Sequence, residues 1–481
     1  MTRKSLISLA VVLIALVAWA APRGVEAQDA EEELRLHREP HSFTNVIDAM
    51  DGDDPFDINV SLTFNREWST GEIQREINDP AVATGRNSAN NIPVGQHEHL
   101  RNTLTAGLQI GVFHDLSIYG LLPIVLSDTR NLKQPDSDTD RDLSRRVRQE
   151  TQPPTWGAPV DASGQLAIFD VPFDSQARSG IPHVNVGIAW GIFNQFRDGA
   201  LPTWVVMLEG QFAIGDPMRP CQRDPVTGDD VPYENFATGE RGKCNGGNDQ
   251  GISDGVHWLS VETRSSYRLR YVEPYAGLQF QVGFPAQASD QFKPGGDLDG
   301  FTNSAPPLQG MLTAGLAVIP WEARARHQRL TVDLRLLGRY ISEGHYFSPL
   351  FDALGTSQSA YLQSPNYETE DTSGRSVMFQ GLTDIEPHGR LSTRISIEMQ
   401  AAEFVRFVIG AQMGWETPYS ITYSDACNPN FNADPGDPRE GNCRGGIINP
   451  HHRANIDLPG RRFRIDDQFQ LDLFASAVAQ F

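Results

Sequence analysis

The sequence predicts an all-β fold: a transmembrane antiparallel up-and-down β-barrel of about 12 strands, or 14 if two further segments join the wall. Three observations predict it. The last strand alternates strictly and ends on an aromatic residue. The chain opens with an export leader. Short and long connections alternate along its whole length.

Counting back from Phe481, every second residue is apolar: Ala479, Ala477, Ala475, Leu473, Leu471 and Phe469, with Gln480, Ser476, Asp472 and Gln470 between them. A period of two puts these sets on opposite faces of one strand. At the other end, Arg3 and Lys4 precede an uncharged run from Ser5 to Ala21, and Val25-Glu26-Ala27 supplies small residues before Gln28. This charged, apolar, small-residue order is that of a cleaved secretory signal peptide over residues 1–27. After Ala21 no uncharged apolar run approaches the roughly 20 residues that a spanning helix needs.

Removing residues 1–27 takes away three basic and one acidic residue, leaving 37 Lys+Arg against 60 Asp+Glu, a formal charge of −23. Such a chain repels phosphate backbones, so no nucleic-acid partner is expected. Hydrophobic residues make up only 39%, which suits a barrel whose lipid-facing half alone must be apolar.

Twelve segments alternate, each with an apolar face destined for lipid. The first carries Ile58, Val60, Leu62 and Phe64. The second carries Leu104, Leu108 and Ile110, and the third Leu116, Ile118 and Ile124. The fourth has Val186, Ile188 and Trp190, the fifth Trp204, Leu208 and Phe212. Leu259 and Val261 mark a weaker sixth, Leu278, Phe280 and Phe284 the seventh, and Leu312, Ala314 and Leu316 the eighth. Leu330 to Tyr340 form the ninth, Leu391 to Met399 the tenth, Val405 to Trp415 the eleventh, and the terminal strand the twelfth. Five links are short, at His114-Asp115, Arg197-Asp198-Gly199, Tyr271, Arg324 and Ala401-Ala402-Glu403. The intervening ones are long: about 66–99, 127–182, 216–254, 285–307, 342–388 and 416–461. Short periplasmic turns and long external loops would give this rhythm. Residues 56–481 are thus expected to be barrel, preceded by an acidic periplasmic segment, residues 28–55, too short for a plug domain. The stretches Gln165 to Phe173 and Ser376 to Leu382 are the candidates for two further strands.

The terminal Phe481, the leader and the loop rhythm together resemble Gram-negative outer-membrane β-barrel proteins, porin-like in architecture but of no particular subfamily. The resemblance covers nearly the whole mature chain. It implies a cell outer-membrane location, lipid as the surrounding partner, and a barrel-assembly machinery that reads the last strand through Phe481. It also implies passage of small-molecule solutes.

Charges are costly on the lipid face, so charged residues within strands are expected to face the lumen. These are Glu209, Glu262, Arg264, Asp333, Arg335, Arg339, Arg390, Arg394, Glu398, Arg406 and Arg464. They would form either a mixed-charge constriction that sorts solutes or a salt-bridge network that fills a narrow barrel. The leading expectation is a porin-like channel for passive diffusion of small solutes. The alternative is a surface-exposed structural or adhesion barrel with a closed lumen and ligand-binding loops.

Four cysteines, Cys221, Cys244, Cys427 and Cys443, allow three pairings in an oxidising compartment, of which Cys221–Cys244 and Cys427–Cys443 within single loops are the simplest. No CxxC spacing supports a metal site. The acid clusters Asp48/Asp51/Asp53/Asp54, Asp136/Asp138/Asp140 and Asp297/Asp299 match no EF-hand loop. His257 and Ser260 fall on opposite strand faces, while His345 and His451-His452 have no partner definable from sequence. No G-x-S-x-G, HExxH or phosphate-loop motif occurs, so neither an enzyme nor a cofactor is expected.

Overall fold

The computed structural model describes residues 41–47, 57–78, 89–148, 167–220, 251–286, 303–323, 326–357, 379–428 and 447–481, apart from 403 and 450, together with a few isolated positions and short pieces between them. The expected leader falls outside them. So do Cys221, Cys244, Cys443 and the acid clusters around Asp53 and Asp297, while Cys427 is described through its backbone alone.

The wall has twelve strands: β1 (Ile58–Asn78), β2 (Ala89–Phe113), β3 (Leu116–Lys133), β4 (His183–Phe193), β5 (Thr203–Ala213), β6 (Val256–Ser266), β7 (Val272–Pro285), β8 (Gln309–Ala323), β9 (Gln328–Ile341), β10 (His388–Ala402), β11 (Val405–Glu416) and β12 (Phe463–Gln480). Each pairs antiparallel with its sequence neighbours, and β1 pairs with β12 to close the ring. Closure leaves no open edge, the condition for a sheet to cross lipid. At the seam the Ile58 and Phe481 backbones exchange hydrogen bonds, N–H to O, of 2.8 and 2.9 Å. The shortest ladder joins β3 to β4, through Leu116–Leu121 only.

The apolar phase points outward: Val60, Leu62, Leu108, Ile188, Phe280, Leu312, Leu336 and Ile409 are all exposed. The opposite phase is inward and polar, with Ser117, Glu262, Thr313, Asp333 and Glu398 buried. Three short turns contain a non-glycine residue in the left-handed region, His114, Arg270 and His327, a conformation that lets two-residue hairpins follow strand twist. No described helix is long and apolar enough to cross a membrane.

Above the membrane the pattern inverts. On β1, Ile73 and Ile77 face inward and are almost fully buried, while Glu72, Gln74 and Glu76 occupy the outer phase. With Val94, Leu132, Val147, Leu354, Phe463 and Ile465 they form a large apolar core beneath the loops. A short helix, α1 (Asp138–Val147), docks there through Val147 and a 2.5 Å hydrogen bond from Ser144 Oγ to the Val94 carbonyl. Asp138 and Asp140 lie in its first turn, where carboxylates favour the helix dipole. The long connection expected over 66–99 is therefore strand throughout its described residues, in β1 up to Asn78 and in β2 from Ala89. Phe169, Phe379 and Leu382 fold into the loop core, and Phe173, also in that core, adds only a two-residue strand with Asp174 on the end of β3, so neither segment adds a full strand to the wall.

Within the lumen two inward glycines stand directly opposite tyrosines, Gly187 facing Tyr119 and Gly315 facing Tyr275. A Cβ on either glycine would overlap the tyrosine ring, so the rings lie flat against the wall only because the side chain opposite is absent. Gly315→Val should displace Tyr275 and destabilise the barrel by about 1–3 kcal/mol, the usual range for overpacking. A fall in the temperature at which the folded, fast-migrating band is lost on semi-native electrophoresis checks this.

Candidate functional site

The lumen is the candidate site. At its short-turn end the chain itself occupies the space. Residues 41–47 and 49 lie against inward side chains of at least seven different strands, an arrangement available only from within the ring. Ala49 pairs through its backbone with His114 on the rim. Val46 packs against Tyr119, Ala189 and Val205. Thr44 Oγ1 is 2.8 Å from Ser266 Oγ, and the His41 backbone N–H donates to the Glu273 carboxylate at 3.1 Å. Phe43 is the anchor. Its ring packs on Tyr275 with centroids 4.6 Å apart, and the Arg264 and Arg335 guanidinium carbons lie 4.7 and 4.6 Å from its centroid. Arg264 also donates to the Phe43 carbonyl at 3.0 Å. Two cations on one buried ring hold it by charge–quadrupole attraction in addition to burial.

The expected lumen residues sort into paired and unpaired groups. Arg264 grips Glu262 with both Nε and Nη2, at 2.7 and 2.8 Å. Arg335 donates to Tyr275 Oη and to Asp333 at 3.0 and 3.1 Å, and Tyr275 Oη donates to Asp333 in turn. Glu398 lies between Arg329 at 3.9 Å and Arg406 at 3.8 Å, with His41 at 4.0 Å. Glu209 accepts from Asn185 at 2.9 Å, and Arg390 donates to Glu416 at 2.6 Å. Arg339 and Arg394 have no acidic partner within salt-bridge distance among the described residues. Arg339 Nη2 reaches only the Met311 sulfur at 3.9 Å, and Arg394 lies over the Phe474 ring at 4.0 Å. The electrostatic neighbours of Arg339 are Arg390 and Glu416 first, then Glu67 and Asp472 on the β1–β12 side. The mid-lumen thus sets incompletely cancelled positive charge on β9 and β10 beside carboxylates farther along the same stretch of wall, Asp472 standing next to Gln412, the ladder partner of Arg394.

Arg464 is not among them. Phe463 and Ile465, its chain neighbours, fill the interior core, which places Arg464 on the other face. Asp467, with φ of 49°, and a register shift opposite Thr70/Glu72 put β12 out of step there, so alternation extrapolated from Phe481 assigns the wrong side above that point.

Two further buried networks involve residues that were not expected in the lumen. Arg178 bonds the Asp352 carboxylate with both terminal nitrogens, at 3.1 and 2.5 Å, joining the β3–β4 loop to the β9–β10 loop. Asp128 gathers His99 at 3.2 Å, Arg130 at 3.3 Å and Arg101 at 3.8 Å. The sequence signal for the latter is alternation itself, since His99 and Arg101 on β2 and Asp128 and Arg130 on β3 each stand two apart and face one another across the ladder.

A His–carboxylate cluster lies in the loop layer. His345 Nδ1 is 2.6 Å from Asp384, Ser424 Oγ donates to the other Asp384 oxygen at 2.7 Å, and His345 stacks on His451 at 3.9 Å. The serine thus hydrogen-bonds the acid and not the imidazole, the reverse of a nucleophile–base pair. All four side chains are buried, so the cluster braces the loops. Beside it, burial pushes the Asp457 carboxyl up to about 8, with Asp384 adding to the shift. The same burial brings Arg453 down to about 10.

A closed ring with an apolar belt outside and charge inside is a membrane-spanning wall, and the chain has the fold of a transmembrane β-barrel. No family model and no curated protein matches it. Solved structures share the architecture at low similarity. An outer-membrane channel of Pseudomonas putida F1 from the group termed COG4313 is 8% identical with a TM-score of 0.41, over 92% of this chain and 100% of that one. A FadL homologue of Pseudomonas aeruginosa is 8% identical with a TM-score of 0.31, over 92% and 93%. The protease OmpT of Escherichia coli is 8% identical with a TM-score of 0.27, over 88% and 97%. Channels and an enzyme stand together here, and function has to be argued from the site.

A raised carboxyl pKa makes the stability linked to the protonated form complete below the unfolded value, near 3.8, and lost progressively as pH climbs to about 8. The loop layer should therefore exchange its amide hydrogens faster, relative to intrinsic rates, at pH 9 than at pH 5. In Asp457→Asn that pH dependence should flatten.

Proposed function

We propose that the protein is an outer-membrane channel for small polar solutes, closed in its resting state by residues 41–49 at the short-turn end of the lumen. The single observation that carries this reading is the mid-lumen charge. A barrel filled only for rigidity gains by pairing its buried charges, because an unmatched buried guanidinium is costly. Arg339 and Arg394 face the lumen without acidic partners in salt-bridge reach among the described residues. Water and a passing solute would supply the missing partners, as in other charge-lined pores. The positive arc favours anions, and the carboxylates Glu67 and Asp472 beside it on β1 and β12 would orient a solute carrying both signs.

The closing segment is held by contacts that are individually replaceable: one ring between two cations, a hydroxyl pair, one backbone bridge and an apolar patch. Removal of the Phe43 ring takes away its cation–ring contacts and its packing on Tyr275 together.

A second reading has its own support. The loop core of buried apolar side chains is as continuous as that of a small domain, as expected of a folded surface platform that binds an external partner above a permanently closed lumen.

Conductance in planar bilayers separates the two. The channel reading expects rare openings from the native protein and at least tenfold greater open probability from Phe43→Ala, since about 2 kcal/mol of packing and cation–ring attraction is lost. It also expects the anion preference to move toward cations in Phe43→Ala/Arg394→Glu. Silence from Phe43→Ala that is demonstrably folded and inserted would remove the channel reading and leave the platform.

A further inference from the structure

A cleft of about 350 Å³ opens on the outer wall and not in the lumen, lined by Arg66, Trp68, Glu98, Leu100, Thr129 and Leu473 among others. It spans β12, β1, β2 and β3. Its floor, Leu100, Leu471 and Leu473, is in the outward phase directly above Phe64, Leu104 and Ala475, which face lipid. Its flank is aromatic. Trp68 and Trp415 both pack on Phe469, with centroids 6.0 and 5.4 Å apart, and rings of this kind sit at the boundary between hydrocarbon and headgroups.

Arg66 lies at that boundary. Its ladder neighbours are Asn102 and Leu473, and Asn102 is already engaged with Ser127 at 2.8 Å. The neighbouring carboxylate, Glu98, is committed to Lys133 at 2.5 Å and to the Trp68 indole N–H at 3.1 Å. Among the described residues no carboxylate lies within salt-bridge distance of Arg66. A guanidinium on the lipid-facing wall is expensive to leave unmatched, and its planar donor fork suits a phosphate group.

We propose that this cleft binds a phosphorylated lipid of the outer leaflet, with a headgroup phosphate on Arg66 and an acyl chain along Leu100, Leu471 and Leu473. The apolar floor selects a lipid over free phosphate, because a soluble anion gains nothing from leucines. The site rests on the barrel alone and is independent of whether the lumen conducts.

The test is native mass spectrometry of the full-length protein released from detergent micelles, with bis-phosphorylated lipid A as the probe and its dephosphorylated form beside it. The proposal expects adducts with the phosphorylated lipid, bound about tenfold more weakly by Arg66→Gln and little changed by Arg66→Lys, as the loss of one charge-assisted contact implies. Arg270→Gln, on the opposite rim, should bind as the native protein does. Semi-native electrophoresis confirms that each variant is folded. Equal binding of the dephosphorylated lipid, equal binding by Arg66→Gln, or displacement by millimolar inorganic phosphate would each overturn it.

Discussion

The constraint on which everything else depends is that every wall amide must find a partner inside hydrocarbon. Eleven antiparallel ladders and the β1–β12 seam meet it, ending in the paired backbones of Ile58 and Phe481. Once the ring is closed, strict alternation follows. One face of each strand must be apolar for lipid, and the other is free to be polar because it meets water, charge or the chain itself. The same constraint lapses above the membrane. There the sheet can reverse its polarity, as β1 does between Phe64 and Ile73, and bury apolar side chains under the loops.

The lumen is consequently a layered space. Its short-turn end is occupied by the segment around Phe43, its middle carries charge that is only partly neutralised, and its far end meets the apolar core of the loops. Tyrosines lying flat on glycines make room for the segment, and Arg264 and Arg335 hold Phe43 while remaining bound to Glu262 and Asp333. Each of these arginines thus serves wall and plug at once, so the segment is coupled to the charged network above it through shared side chains.

Much of this was legible in the residues. Period-two alternation located all twelve wall strands and their outward faces, because lipid imposes a uniform rule on every strand. Arg335, Arg390 and Glu398 were readable as inward for the same reason. Legibility ended where that rule ends. The extension of β1 and β2 was hidden because Glu72, Gln74 and Glu76 are outward yet lie above the lipid. Arg464 was misplaced because the irregularity at Asp467 shifts the phase without changing the composition. The lodging of Phe43 rests on contacts with Arg264, Tyr275 and Arg335, more than 200 residues away in sequence, and a nine-residue segment without alternation carries no local sign of them.

The most direct measurement exploits the 2.8 Å approach of Thr44 and Ser266. Thr44→Cys/Ser266→Cys would tether the segment to the wall through a disulfide, and conductance would be recorded before and after reduction, with the native chain and its own four cysteines as control. The account predicts silence when oxidised and openings on reduction beyond any change in the control. Equal conductance in both states, with the tether verified by mass, would contradict the claim that this segment closes the lumen.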